Sequence, residues 1–136
     1  MAVPDLFQPL EPSPFGELVG PVFIRRSDSV PVLGVRVGPQ HSNRQGRAHG
    51  GLLMTLADIA VSRAAAATVP PGGTIATAAL QISFLESVGE GEWLEAVPRI
   101  DRLGRSLIHA SCVVQAGDNV VARVLATIAV RLPVPE

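Results

Sequence analysis

Gly50-Gly51-Leu52-Leu53-Met54-Thr55-Leu56-Ala57-Asp58-Ile59-Ala60-Val61-Ser62-Arg63-Ala64-Ala65-Ala66-Ala67-Thr68 is the most apolar run of the chain. Leu52, Leu53, Leu56, Ile59, Ala60, Ala64 and Ala67 recur at helical spacing, and Val69-Pro70-Pro71-Gly72-Gly73 stops the pattern. At about 100° per residue, Gly51, Thr55, Asp58 and Ser62 fall within an arc of roughly 60°, and nearly everything else except Arg63 is apolar. A helix that is apolar around most of its circumference is buried. Asp58 and Arg63 interrupt it well short of the ~18 apolar residues of a membrane span.

Downstream of this helix the period changes to two. Ala76, Ala78, Leu80, Ile82 and Phe84 alternate with Thr77, Gln81 and Ser83, which predicts a strand from Thr74 to Glu86 with its even positions on a dry face. Leu94, Ala96, Pro98 and Ile100 repeat the phase, with Pro98 marking an edge or a bulge. Ile108 to Val114 and Val120 to Val130 repeat it again. The connections Ser87–Gly91, Leu103–Arg105 and Gly117–Asn119 are too short for parallel crossovers, so these strands form an antiparallel meander. Upstream, Val22–Arg25 and Val30–Val37 read as strands and Gly38–Gly46 as a loop. Met1–Gly20, with four prolines, reads as an arm holding one short helical turn near Phe15–Leu18. One apolar helix and one antiparallel sheet with a dry face bury each other when the sheet curls around the helix, an α+β architecture.

With 136 residues and 14.2 kDa, the chain has room for one domain, 1–136, including the arm at 1–20. Apolar residues make up 47%, charged residues only 17%, and the mean hydropathy is +0.34. A small monomer would have to expose much of this surplus, so a homodimer or homotetramer is expected. A net charge of −1 gives no electrostatic basis for binding nucleic acid, and no membrane association is expected. All 11 basic residues are arginine, which serves either bidentate phosphate contacts or simple solvation. A lone Cys112 and an N-terminus without a basic-then-apolar leader point to the cytoplasm. Cys112 and Trp93 read as packing residues. His41 and His109 lack partners at metal-ligand spacing, so no metal is expected.

The chemistry-bearing residues cluster at His41-Ser42-Asn43-Arg44-Gln45-Gly46-Arg47-Ala48-His49-Gly50-Gly51 and at Asp58. Two glycines at a helix start either permit a tight turn or bare the free N–H groups and the positive dipole end toward a developing oxyanion. Asp58 is a carboxylate in an apolar helix with only small neighbours on its arc, the setting of a cleft-facing acid or base. Eight residues separate it from Gly50, about 12 Å along the axis. One ester or thioester group cannot touch both within a single chain, so a site using both lies on a two-fold interface.

Asn43-x-x-Gly46-x-x-His49-Gly50-Gly51, then Thr55-Leu56-Ala57-Asp58, Thr77 and the Gly104-Arg105 turn resemble the PaaI-like acyl-CoA thioesterases of the hotdog superfamily. These include phenylacetyl-CoA and 4-hydroxybenzoyl-CoA thioesterases, and the likeness runs from about Pro39 to Arg131. It implies a hotdog fold and hydrolysis of an acyl-CoA to acid and CoA, with CoA as part of the substrate and no separate cofactor. By the same resemblance, Asn43 and the Gly50 N–H bind the thioester carbonyl and His49 shapes the loop. Asp58 activates water or attacks as nucleophile, and Thr77 holds the water. For binding CoA, Gly51, Arg102, Gly104, Arg105 and Ser106 are candidates, with Arg44 and Arg47 as further candidates for its phosphates. Strand parity sets Thr77 opposite the dry face, so it reaches the water only through a bulge or at a subunit boundary. Two rival readings are a hotdog dehydratase or hydratase and a non-catalytic acyl-CoA sensor, and release of free thiol distinguishes hydrolysis from both.

Overall fold

The computed structural model describes residues 2–27 and 30–135, so Met1 and Glu136, the ends of the expected domain, lie outside the described residues. Among the described residues, seven strands and two α-helices follow one another as β1 (Gln8–Pro9), α1 (Pro14–Val19), β2 (Val22–Arg25), β3 (Val32–Arg36), α2 (Gly50–Ala66), β4 (Thr74–Phe84), β5 (Trp93–Leu103), β6 (Leu107–Ala116) and β7 (Asn119–Arg131), with one 3-10 turn at Pro39–His41 before α2. The strands form one sheet in the order β1-β2-β3-β5-β6-β7-β4, with every pairing antiparallel. This is the hotdog architecture, with α2 packed into the curve of the sheet. Leu52, Leu53, Leu56, Ala57, Ala60, Val61, Ala64 and Ala65 of α2 are buried against even-numbered residues of β5, β6 and β7. No helix among the described residues is long and apolar enough to cross a membrane.

The dry-face phase holds for Leu94, Ala96, Ile108, Ala110, Cys112, Val114, Val124, Ala126 and Ile128, all buried. In β4 it fails over the first half. A bulge between Thr77 and Ala79 inserts one unpaired residue opposite β7, and each added residue turns the following side chains to the other face. Ile75 packs on the core before the bulge, Leu80 and Ile82 after it, and Ala76 and Ala78 are exposed rather than on the dry face. Pro98 sits just beyond the last β3 partner, where Leu33 meets Ala96, so β5 has no neighbour on that side to lose a hydrogen bond.

The arm closes one edge of the sheet. Pro14 and the Ser13 hydroxyl, which accepts from Gly16 N–H, start α1, while Leu10 N–H donates to Val22 O. Trp93 packs edge-on against Phe7 (5.2 Å between centroids) and against Phe23 (5.7 Å), with the Arg36 guanidinium 5.1 Å from its ring. Gly34 beneath it must be glycine, since a Cβ there would overlap the indole. The loop before α2 is tied to the same arm by His41, the one buried polar side chain among the described residues. Its Nδ1 accepts from Gly38 N–H, so the ring proton sits on Nε2 and goes to Val19 O.

Candidate active site

The loop from Pro39 to His49 positions the first half of the site. Asn43 is half-buried, and its Oδ1 accepts from Gln45 N–H (2.9 Å) and Arg47 N–H (3.1 Å), closing a turn that Gly46 completes at a positive φ. Those two bonds fix the orientation of the amide, because only the oxygen can accept both. The Asn43 NH₂ is thereby turned outward as a donor. His49 caps α2, its Nδ1 accepting from Gly51 N–H at 2.8 Å. Of the two glycine amides at this helix start, that of Gly51 is engaged, whereas Gly50, at the first helical position, has no intrahelical acceptor. Glycine is required there by close packing: a Cβ on Gly50 would come within 2.9 Å of the Phe84 ring. Asn43, Gly50 and Phe84 line one cleft of about 440 Å³.

The second half lies eight residues further along α2. Asp58 is half-buried, and its Oδ1 accepts from the Thr77 hydroxyl at 2.6 Å. Thr77 has a single proton and gives it to the carboxylate, so the Ser62 hydroxyl, 3.3 Å from Thr77 Oγ1, serves as donor to it. The bulge at Thr77/Ala79 turns Thr77 toward α2 against the alternation of the strand. Asp58 lines a cleft together with Ile59, Ser62, Arg63 and Ile75. Ser62 was not among the residues singled out from sequence as part of the site. Its signal was its spacing, four residues after Asp58 on the same face.

Within one chain the two halves do not meet. Gly50 packs on Phe84 at one end of β4, whereas Asp58 bonds to Thr77 near the other. The β5–β6 turn lies further still toward the Thr74 end. Ser106 O accepts from Val130 N–H, and Val130 pairs with Ile75. Arg102, Arg105 and Ser106 are exposed there, and Gly104 is confined by Leu107 O, 2.5 Å from where a Cβ would stand. The 11 residues of β4 put this turn on the order of 30 Å from the Asn43 cleft.

No group of three or more His, Cys, Asp or Glu side chains among the described residues is arranged to hold a metal ion. Cys112 is buried, and desolvation pushes its thiol up to about 12 against a smaller opposing hydrogen bond with the Val97 backbone, so it is a packing residue rather than a nucleophile.

The sequence model of the thioesterase superfamily matches residues 45–123, which hold His49, Gly50, Asp58, Ser62 and Thr77. The chain belongs to the thioesterase superfamily. A candidate esterase of Pseudomonas aeruginosa is 39% identical over 124 residues, covering 90% of this chain and 92% of that one. Among solved structures, a candidate thioesterase related to phenylacetic acid degradation from Ralstonia eutropha superposes with a TM-score of 0.77 at 25% identity, covering 88% of this chain and 92% of that one. A Bacillus halodurans protein solved with CoA matches at TM-score 0.70 and 27% identity, over 74% of this chain and 66% of its own. The superfamily match starts two residues after Asn43, so the amide that completes the first cleft stands just outside it.

Proposed function

We propose that this protein hydrolyses an acyl-CoA thioester to the free acid and CoA, at sites each assembled from two copies of the chain. The observation that carries this reading is the Thr77–Asp58 hydrogen bond at 2.6 Å, which holds one carboxylate oxygen and leaves the other to act on water. Gly50 N–H and the Asn43 amide of one copy bind the thioester oxygen, and Asp58 of the other serves as general base. Water attacks the carbonyl carbon while its proton passes to Asp58 Oδ2. The oxyanion collapses, the C–S bond breaks, and the CoA thiolate leaves, taking the proton from Asp58. Membership of the superfamily supports the reaction type, and the CoA-bound relative supports the thiol.

The partner joins at β4, an 11-residue strand at the open end of the sheet that carries neither proline nor a charged residue to block pairing. Its register follows from two contacts. Gly50 is pinned to Phe84 and Asp58 to Thr77, so bringing Gly50 of the partner subunit beside Asp58 sets Thr77 against Phe84 of the partner subunit. Ala78 is the extra residue of the bulge and lies within this span, so the two-fold axis falls at Gln81. In that register the Thr74 end of one β4 lies beside residue 87 of its twin, which brings Arg102 and Arg105 to the same mouth as the other copy's Arg44 and Arg47, a setting for phosphates.

Mixing Asp58→Asn chains with Asn43→Ala chains, each nearly inactive alone, tests the shared site. Isolated heterodimers will regain one intact site and up to about half the wild-type rate of thiol release from acyl-CoA. Heterodimers without recovery would overturn the shared site. Wild-type protein that binds CoA tightly yet releases no thiol from any acyl-CoA would instead establish the sensor reading.

A further inference from the structure

A second cavity, of about 470 Å³, opens on the opposite flank of α2 from β4, between that helix and the N-terminal arm. Its walls are apolar: Leu10, Pro12, Pro21 and Val22 on the arm side and Ile59 on the helix. The volume lies within the range of small-molecule pockets, and concave apolar surface of this extent is retained in proteins for a ligand or a partner. We infer that this groove receives the acyl group of the substrate, and that it selects uncharged acyl chains of medium length.

The inference rests on the hydrolase reading and on the continuity of two cavities. Ile59 and Arg63 line both this groove and the cleft that holds Asp58, so the two spaces adjoin at those side chains. Asp58 and Ile59 are consecutive, and consecutive helical side chains diverge by about 100°. At a helix surface some 5 Å from its axis, that angle is an arc on the order of 8 Å. An acyl chain whose carbonyl is held beside Asp58 crosses that arc over Ile59 before it enters the groove. Acetyl groups stop short of it, whereas chains of about six to ten carbons reach the far wall.

Charge at the rim narrows the class further. Glu11 and Glu17 oppose the single Arg63 among the described lining residues. A carboxylate at the end of the acyl chain therefore meets net negative charge, and an uncharged tail does not. The arm wall is held in place by the His41–Val19 and Leu10–Val22 hydrogen bonds, so the groove has a defined width rather than a loose cover.

Two variants fill the groove from different sides. A side chain at Gly16 would start beside Ser13 Oγ and Pro12 Cβ, both groove walls, so Gly16→Leu projects into the space. Pro12→Trp does so from an exposed position outside any packed element. Both are expected to leave acetyl-CoA hydrolysis within about twofold of wild type and to lower kcat/KM for octanoyl-CoA tenfold or more. Binding of S-octyl-CoA and S-methyl-CoA thioethers, measured by calorimetry, reads the groove without catalysis. Wild type is expected to bind the octyl compound at least tenfold more tightly, and both variants to lose that preference. Equal losses for acetyl and octanoyl substrates, no loss for either, or equal affinity of wild type for the two thioethers would each overturn the assignment. Chain-length-dependent binding without thiol release from any thioester would keep the groove and overturn the hydrolase reading alone.

Discussion

The two edges of the sheet are finished in opposite ways. Beyond β3 the sheet continues with β2 and with the two-residue β1 of the arm, and that side is sealed by Phe7, Phe23 and Trp93, two arginines stacked on aromatic rings and a glycine that clears the indole. Beyond β7, β4 ends the sheet with an unpaired flank and exposed alanines. An unprotected strand of this length is a liability unless it is meant to be paired. The contrast separates stability from chemistry: the sealed edge holds the fold and the wall of the acyl groove, while the open edge carries Thr77 and, through it, Asp58.

That division can be broken first at the open edge. Asp58→Asn is expected to lower kcat by about 10²–10⁴ while leaving the melting temperature near that of wild type, because the amide fills the same space but cannot take the proton from water. Thiol release from acyl-CoA together with thermal unfolding checks both halves of the statement, and turnover near wild type would remove Asp58 from the mechanism.

Trp93→Ala strikes the other edge. It is expected to cost about 2–3 kcal/mol of unfolding free energy, below the full range for a deeply buried tryptophan because this one is half-exposed, and to spare kcat in the fraction that remains folded. Denaturant unfolding and active-site-normalised rates separate the two. A collapse of kcat at full folding would show that the edges are not independent.

Register at the open edge can be read by disulfide trapping. With the axis at Gln81, Ala79 faces Ser83 of the partner subunit on the outer side of the sheet. Mixing Ala79→Cys chains with Ser83→Cys chains should give mainly the mixed disulfide, since like pairs are offset by four residues, about 13 Å, beyond disulfide reach. Mass spectrometry of oxidised dimers would reveal a different register as like-with-like bridges. The native Cys112 does not compete, being buried with a raised pKa.

The smallest effect concerns that thiol. Burial raises its folded pKa to about 12 from the ordinary 9.0, so it favours the folded state fully below about pH 9. Its share of stability is lost as the pH rises from there through 12, at up to about 1.4 kcal/mol per pH unit. Cys112→Ala should flatten the alkaline limb of the stability curve at the expense of a small cavity, and an unchanged slope in denaturant titrations at pH 9–11 would show that other groups set it.

The legible parts of the molecule were those written in local periods. The helix at Gly50 announced itself by spacing, though it stops at Ala66 rather than Thr68, and the meander by a shared phase over three strands. Asp58 stood out because a charge in an apolar helix needs a reason. The position of the β4 bulge left no trace, since Ala76, Ala78 and Ala79 are small enough to sit on either face, and the alternation rule counted Ala76 and Ala78 as dry. The Phe7–Trp93 contact and the two-residue β1 depend on residues far apart in sequence, so no window contains them. Asn43 was readable as a candidate, but the orientation of its amide is set by two backbone donors two and four residues further on, in a stretch whose polar, glycine-flanked composition marked it only as loop.

The bulge also sets what kind of change could make or unmake this site. Removing Ala78 would restore regular pleating with Thr77 still facing α2, but it would take out the local bend that the extra residue puts into the strand beside the carboxylate, without altering a single chemical group near it. Here insertion and deletion carry as much functional weight as substitution, and lineages that differ in strand length by one can differ in chemistry while sharing every named side chain.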